Sequence, residues 1–252
     1  MKVFIETDLE GISGVSRAEM VADSHRYALE RLMADTNAAV RGAIDAGAER
    51  VFVLDGHGGG KNFIPGLLDP RAEQTGIDRV KETDLCFIIG MHAMAGTQNA
   101  FLDHTQSSVS WHHYRVNGRR YGECGQLAAY AGAYGIPLGM VSGDFAACAE
   151  ARAMLGNIET ASVKQADGRN RAVCLPEEEA EALIHDAAYR AVKRKEEFRP
   201  LTILTPAVVE VEFNRCDYAD AARNRRPSLE RIDGYTLRRV VPEIREYGDL
   251  LI

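Results

Sequence analysis

Short unbroken apolar runs alternate along this chain with longer stretches of helical period. VFIETD (3–8), RVFVLD (50–55), LCFIIG (85–90) and LGMVSGD (138–144) are such runs. Compact apolar runs without alternation fit strands covered on both faces, the form that parallel sheets take. Between the first two lies SHRYALERLMADTNAAVRGAIDAGA (24–48), which reads as a long helix closed by Gly47. GECGQLAAYAGAYG (122–135) reads as a second helix, stopped by Gly135 and Pro137, and an alanine-rich helix follows residue 144 to about Leu155. This order predicts an α/β fold: a mostly parallel sheet flanked by helices. SVSWHHYRVNGRRY (108–121) reads as a hairpin, because Asn117-Gly118 is a strong two-residue turn.

After Val163 the rhythm changes. PEEEAEALIHDAAYRAVKRKE (176–196) is a charged helix, whereas VVEVEF (208–213) and YTLRRVV (235–241) alternate like half-exposed strands. The pattern predicts residues 1–160 as the core that carries the chemistry and 161–252 as a smaller C-terminal α+β lobe.

Composition narrows the classes of function. The 252 residues are 46% hydrophobic, enough for one large core or a core with a lobe. The net charge is −7 and no basic block stands out, which argues against nucleic acid or an anionic membrane as partner. No apolar run approaches the ~20 residues that a membrane helix needs. MKVFIETD has no apolar stretch of the secretory kind, so the expected location is cytoplasmic. The five cysteines, Cys86, Cys124, Cys148, Cys174 and Cys216, are odd in number and form no C-x-x-C. That pattern fits neither a disulfide framework nor a cysteine zinc site.

Candidate chemistry gathers where the apolar runs end. Asp8 and Glu10 are two residues apart at the end of the first run, so on an extended strand they share a face roughly 6–7 Å apart. The second run ends Asp55-Gly56-His57 and the third Gly90-Met91-His92. Ligands of open α/β sheets bind beyond the carboxyl ends of the strands, which would bring Asp8, Glu10, His57 and His92 to one crevice. Glu123 adds a carboxylate at a helix start. Imidazoles and carboxylates are zinc ligands, and a bridging carboxylate serves paired metals. Five ligands are generous for one catalytic ion, so a pair of Zn2+ ions fits better. Taken singly these residues have plainer readings: turn devices, helix-start charges and loop histidines. Asp55 either orients a ligand histidine or merely ends its strand. The glycines at 56–60 with Lys61 miss the spacing of a phosphate loop. In the hairpin, strand alternation lets at most one of His112 and His113 look toward the site.

ETDLEGISGV, VLDGHGGGKN, IIGMHAMAGT, FLDHTQSSVSWHHYRVNG, YGECGQLAAYAGAYGIPLGMVSGD and SVKQADGRNRAVCLP, in that order, resemble the blocks of the DppA-type zinc-dependent D-aminopeptidase family. The resemblance is close over about 1–176 and loose beyond. It implies Asp8, Glu10, His57, His92 and Glu123 as ligands of two zinc ions per subunit, and His104 as the active-site residue, read here as a proton shuttle or oxyanion donor. Lys164, Arg169 and Asn170 fall in a matching block and, with His113, are candidates for substrate contact. The resemblance further implies a homodecameric ring, with the active sites facing an internal chamber. Its substrates would be short peptides or amino-acid amides, those with D-residues included, cleaved by attack of metal-bound hydroxide. One position departs: Glu6 stands where the family signature has serine, and by alternation it shares a face with Asp8 and Glu10. Two other readings stay open: a dinuclear hydrolase of another amide or a phosphoester, and a metal-stabilised ring protein without catalysis.

Overall fold

A computed structural model describes residues 1–21 and 25–252. Its elements begin with β1 (Lys2–Thr7), α1 (Arg26–Asp45), β2 (Arg50–Asp55), β3 (Ala72–Gln74) and β4 (Leu85–Met91). The hairpin β5 (Trp111–Val116) and β6 (Arg119–Arg120) follows, then α2 (Glu123–Ala133), β7 (Leu138–Asp144) and α3 (Phe145–Leu155). Next come β8 (Glu159–Ala166), β9 (Ala172–Cys174) and α4 (Glu177–Lys193). The chain ends with β10 (Ala207–Phe213), α5 (Cys216–Arg225), β11 (Glu230–Arg231), β12 (Thr236–Val241) and a short 3-10 turn, Tyr247–Leu250. The helix start expected at Ser24 lies outside the described residues.

Seven strands form the main sheet in the order β3-β2-β1-β4-β7-β8-β9. All pair in parallel except β9, which runs antiparallel to β8. From β1 the chain first works outward through β2 and β3, then returns to lay β4 on the other side. The boundary between β1 and β4 is therefore a topological switch point, where open parallel sheets leave a crevice for ligands. Register brings the strand ends level: Thr7 pairs with Asp55 on one side and Ile89 on the other. Every residue of β4 and of β7 is buried, as their unbroken apolar runs require.

Helices cover the sheet. The alanine-rich faces of α1 (Ala28, Ala39, Ala43) and α4 (Ala180, Ala187, Ala191) are buried, and the two helices pack along each other beside the sheet. Helices α2 and α3 pack against β7. Asp144 caps α3, its Oδ1 accepting the Ala147 N–H at 2.8 Å. A second, antiparallel sheet has the order β11-β12-β10-β5-β6. β10 alternates buried and half-buried residues along its length, as its sequence predicts.

The sheets do not divide the chain at residue 160. Strands β8 and β9 complete the main sheet and α4 packs on it, while the hairpin before α2 joins the second sheet through β5 and β10. The smaller sheet thus draws on two separate segments. Among the described residues no helix is long and apolar enough to cross a membrane.

Candidate metal centre

The loops that leave β1, β2 and β4 are fixed by their own backbones. Asp8 N–H donates to Ile89 O at 2.8 Å, and Gly11 N–H to Gly90 O at 2.7 Å. At Gly90, φ is +82°, and a Cβ there would lie 2.2 Å from Asp8 O, so the close approach needs glycine. His57 opens a short turn braced by Asp55. Asp55 Oδ2 accepts Asn62 N–H at 2.6 Å, and Asn62 Nδ2 donates to Asp55 Oδ1 at 2.9 Å and to His57 O at 2.7 Å. Asp55 therefore steadies the backbone of His57 rather than its ring. Glu123 starts α2, and its Oε1 accepts Gln106 N–H at 2.7 Å.

These loops bring Asp8, Glu10, His57, His92, His104 and Glu123 together. His57 Nδ1 lies 3.0 Å from Asp8 Oδ1 and 3.0 Å from Glu10 Oε2. A single ring nitrogen cannot point one hydrogen at both. His92 Nδ1 donates to Ala93 O at 3.0 Å, which leaves the Nε2 lone pair facing inward. That Nε2 is 3.4 Å from Asp8 Oδ2 and 3.3 Å from Glu123 Oε1. Asp8 thus turns one oxygen to each half of the cluster. His104 Nδ1 donates to Leu102 O at 2.8 Å, its Nε2 is 3.7 Å from Glu123 Oε1, and its ring stacks on His92 at 3.8 Å.

The donors suit a cation. Asp8 Oδ2, Glu10 Oε2 and His92 Nε2 are buried with no hydrogen-bond partner among the described residues. Each unpaired buried polar atom costs about 1–3 kcal/mol, and these three all offer electron pairs. Donor atoms of Asp8, Glu10 and His92, and of His92, His104 and Glu123, lie within 4.8 Å of one another. Such carboxylate and imidazole sets fit divalent metal ions.

Electrostatics point the same way. Burial opposes charging His57, yet the carboxylates of Asp8 and Glu10 beside its ring push its pKa up to about 11. Burial also opposes charge on His92, but the negative charge of Glu123, with Asp8 and Glu10, raises it well above the usual range. Burial would raise Glu123 and Asp8; His92 holds the first down, and the hydrogen bond from His57 the second. Glu6 faces the same pocket, as alternation predicts. Burial, then Glu123 and Asp8, push its carboxyl up to about 8.

The pocket over this cluster has a volume of about 380 Å³, and Gln106 and Tyr247 complete its walls. Neither stands out in the sequence. Tyr247 arrives from the 3-10 turn that packs on α2, and its hydroxyl lies 3.3 Å from Gln126 Oε1. The glutamate two residues inside Asp8 is the only wall residue of this kind that strand period alone reveals. A larger cleft of about 680 Å³ lies beyond Met94, beside Phe145 and Glu150, and gathers no comparable set of donors.

Four residues expected at the substrate lie elsewhere. Lys164 is 3% exposed, and its ammonium donates to Glu10 O at 2.7 Å and Val15 O at 2.5 Å. It braces the loop behind Glu10, and burial depresses its pKa to about 8. Arg169 grips the loop that carries His104: its Nη2 donates to Asp103 O at 3.0 Å and its Nε pairs with Asp103 Oδ1 at 3.0 Å. Asn170 lines a separate cleft with Ser16, Arg17 and His25. His113 sits on β5 opposite Glu212, away from the cluster. The cysteines are all free; Cys124, beside Glu123, is buried.

A family model for peptidase M55, described as D-aminopeptidase, matches residues 1–251. The D-aminopeptidase of Bacillus subtilis (strain 168) is 32% identical over 248 residues, covering 94% of this chain and 89% of that protein. A solved structure of the Zn-dependent D-aminopeptidase DppA from Bacillus subtilis, described as a self-compartmentalizing protease, superposes with a TM-score of 0.93 at 28% identity. That similarity covers 100% of this chain and 96% of the other.

Proposed function

The chain belongs to the peptidase M55 family of D-aminopeptidases, and on that premise we propose that it is a zinc-dependent aminopeptidase. It removes the N-terminal residue from short peptides or amino-acid amides, those with a D-residue included. The observation that carries this reading is the trio of buried, partnerless donors, Asp8 Oδ2, Glu10 Oε2 and His92 Nε2.

Asp8, Glu10, His57, His92 and Glu123 would hold two zinc ions, with Asp8 contributing to both. Zinc bound there supplies a water nucleophile near neutral pH and polarises the scissile carbonyl. The remaining work falls to the chain itself. His104 carries the proton: its Nδ1–H is committed to Leu102 O, so Nε2 is the atom free to take a proton and to give one to the leaving amine. Stacking on His92 keeps that ring beside the cluster. The loop around it adopts left-handed backbone at Asn99, Leu102 and Gln106, a concentration of strain typical of functional loops. The small pocket, walled by Gln106 and Tyr247, admits a short chain end and keeps out folded protein.

Zinc per chain, measured beside hydrolysis of D- and L-aminoacyl amides and of phosphoesters, tests the reading. Stoichiometric zinc with aminoacyl-amide turnover supports it. Turnover confined to phosphoesters, or zinc with no turnover, rejects it. His104→Ala should retain zinc and lose ~10²–10⁴ in kcat, the usual worth of general acid–base help. A homo-oligomer enclosing these sites, decameric by resemblance, is the expected assembly; light scattering reads its mass directly.

A further inference from the structure

Glu6 lines the metal pocket, and the roles assigned above leave it nothing to do. It pairs in register with Leu54 and Ile88, which puts it on the face of Asp8 and one pleat deeper in the crevice. Its side chain lies over Gly56: a Cβ there would come within 3.1 Å of Glu6 Oε1 and 2.8 Å of Thr7 O. A side chain at 56 would press on both. Glu6 is half-buried in the pocket wall, and among the described residues no donor bonds to its carboxylate and no cation pairs with it. It also stands apart from the two groups of converging donor atoms. A carboxylate without a partner, half open to the pocket beside a catalytic cluster, is a receptor for a cationic group.

We propose that Glu6 binds the free α-amino group of the substrate and so makes an unblocked N-terminus the entry requirement. This rests on the aminopeptidase reading and deepens it. The pocket of about 380 Å³ holds one small aminoacyl residue. An amine placed against Glu6 puts the following carbonyl toward Asp8 and His92, nearer the strand ends. The amine, as its ammonium, donates a charge-assisted hydrogen bond to the carboxylate. An N-acyl nitrogen carries no charge, offers only an amide N–H, and brings an acyl group into a small pocket. The preferred substrates are therefore unblocked aminoacyl amides and short peptides, and N-blocked ones are refused.

The test uses the zinc-loaded wild-type protein, Glu6→Gln and Gly56→Ala. Gly56→Ala keeps the carboxylate and displaces it. Calorimetry compares alanine amide, in both hands, with N-acetylalanine amide, and zinc per chain is measured in parallel. The wild type should prefer the free amine by about 10- to 100-fold, the size of one charge-assisted hydrogen bond. Both variants should lose most of that preference with zinc per chain unchanged, and in turnover the loss should fall on KM more than on kcat. A preference that survives in Glu6→Gln puts the amine elsewhere and overturns the proposal; so does a wild type without preference. Zinc lost in Glu6→Gln makes Glu6 a metal ligand and overturns it too. Zinc-loaded wild type that hydrolyses no aminoacyl substrate removes the aminopeptidase reading, whereas the binding preference still reports on Glu6.

Discussion

Asp8 is the side chain on which the centre turns. Its Oδ1 faces His57 and its Oδ2 faces His92, so it touches both halves of the cluster. Asp8→Asn should strip most of the metal from both halves, whereas His57→Ala should lose chiefly one equivalent; metal analysis after dialysis distinguishes them. Arg169 acts at one remove. It grips Asp103, and Arg169→Ala should lower kcat several-fold through a displaced His104 while metal content holds. Glu150 gives a pH signature. Its carboxyl is pushed up to about 7, chiefly by burial; the Met94 N–H opposes this, His92 and Arg120 pull it down and Asp144 pushes it up. A carboxyl raised on folding holds its proton more tightly in the native state, so stability falls as pH rises from about 4.5 through about 7. The loss is about 1–3 kcal/mol. Glu150→Gln retains an acceptor for Met94 N–H and should flatten that slope in denaturant titrations at pH 5 and pH 8.

Elements explain which parts of the site the sequence displays. The candidate ligands at 8, 10, 57 and 92 follow strands of clear apolar period, and parallel register sets those strand ends level. Period and spacing therefore suffice to bring them together. Lys164 is different. It lies on β8, whose mixed residues ETASVKQA give no strand signal, and its inward direction depends on pairing with β7. Tyr247 and Gln126 meet across 121 positions, a contact no local pattern encodes. The same limit hides the link between α1, α4 and the first loop. Buried Arg31 donates to Glu177 at 2.9 Å, Glu181 at 3.0 Å and Ser13 Oγ at 2.9 Å, while Ser13 donates to Asp35. Ser13 belongs to the turn after Glu10, so this network fastens the metal-site loop to two helices. Arg31→Leu would leave Asp35 buried and without its cation, and should cost about 3–5 kcal/mol in chemical denaturation.

At the scale of the molecule, the pocket is a joint product of both sheets. The main sheet supplies the donors at its switch point, and the segment after β12 supplies Tyr247 as a wall. Chelation should accordingly be felt throughout the fold. Removing metal held at 100 to 1,000 times its dissociation constant withdraws about 3–4 kcal/mol of stabilisation, to be read as a fall in Tm on adding EDTA. Large apolar side chains also stay open on the single chain, among them Leu204 at 79% and Val173 at 68% exposure. The proposed assembly would cover such positions. Leu204→Asp and Val173→Asp should shift the mass by light scattering toward smaller species, with the folded chain intact by circular dichroism; an unchanged mass places neither residue at a subunit contact.

The divided loyalty of Asp8 has a further consequence. Two cations served by one carboxylate would sit close enough to repel, so under the proposed reading the second would be held less tightly than the first. When the ion is scarce, singly loaded molecules should accumulate ahead of fully loaded ones, and supply would set how well each copy works.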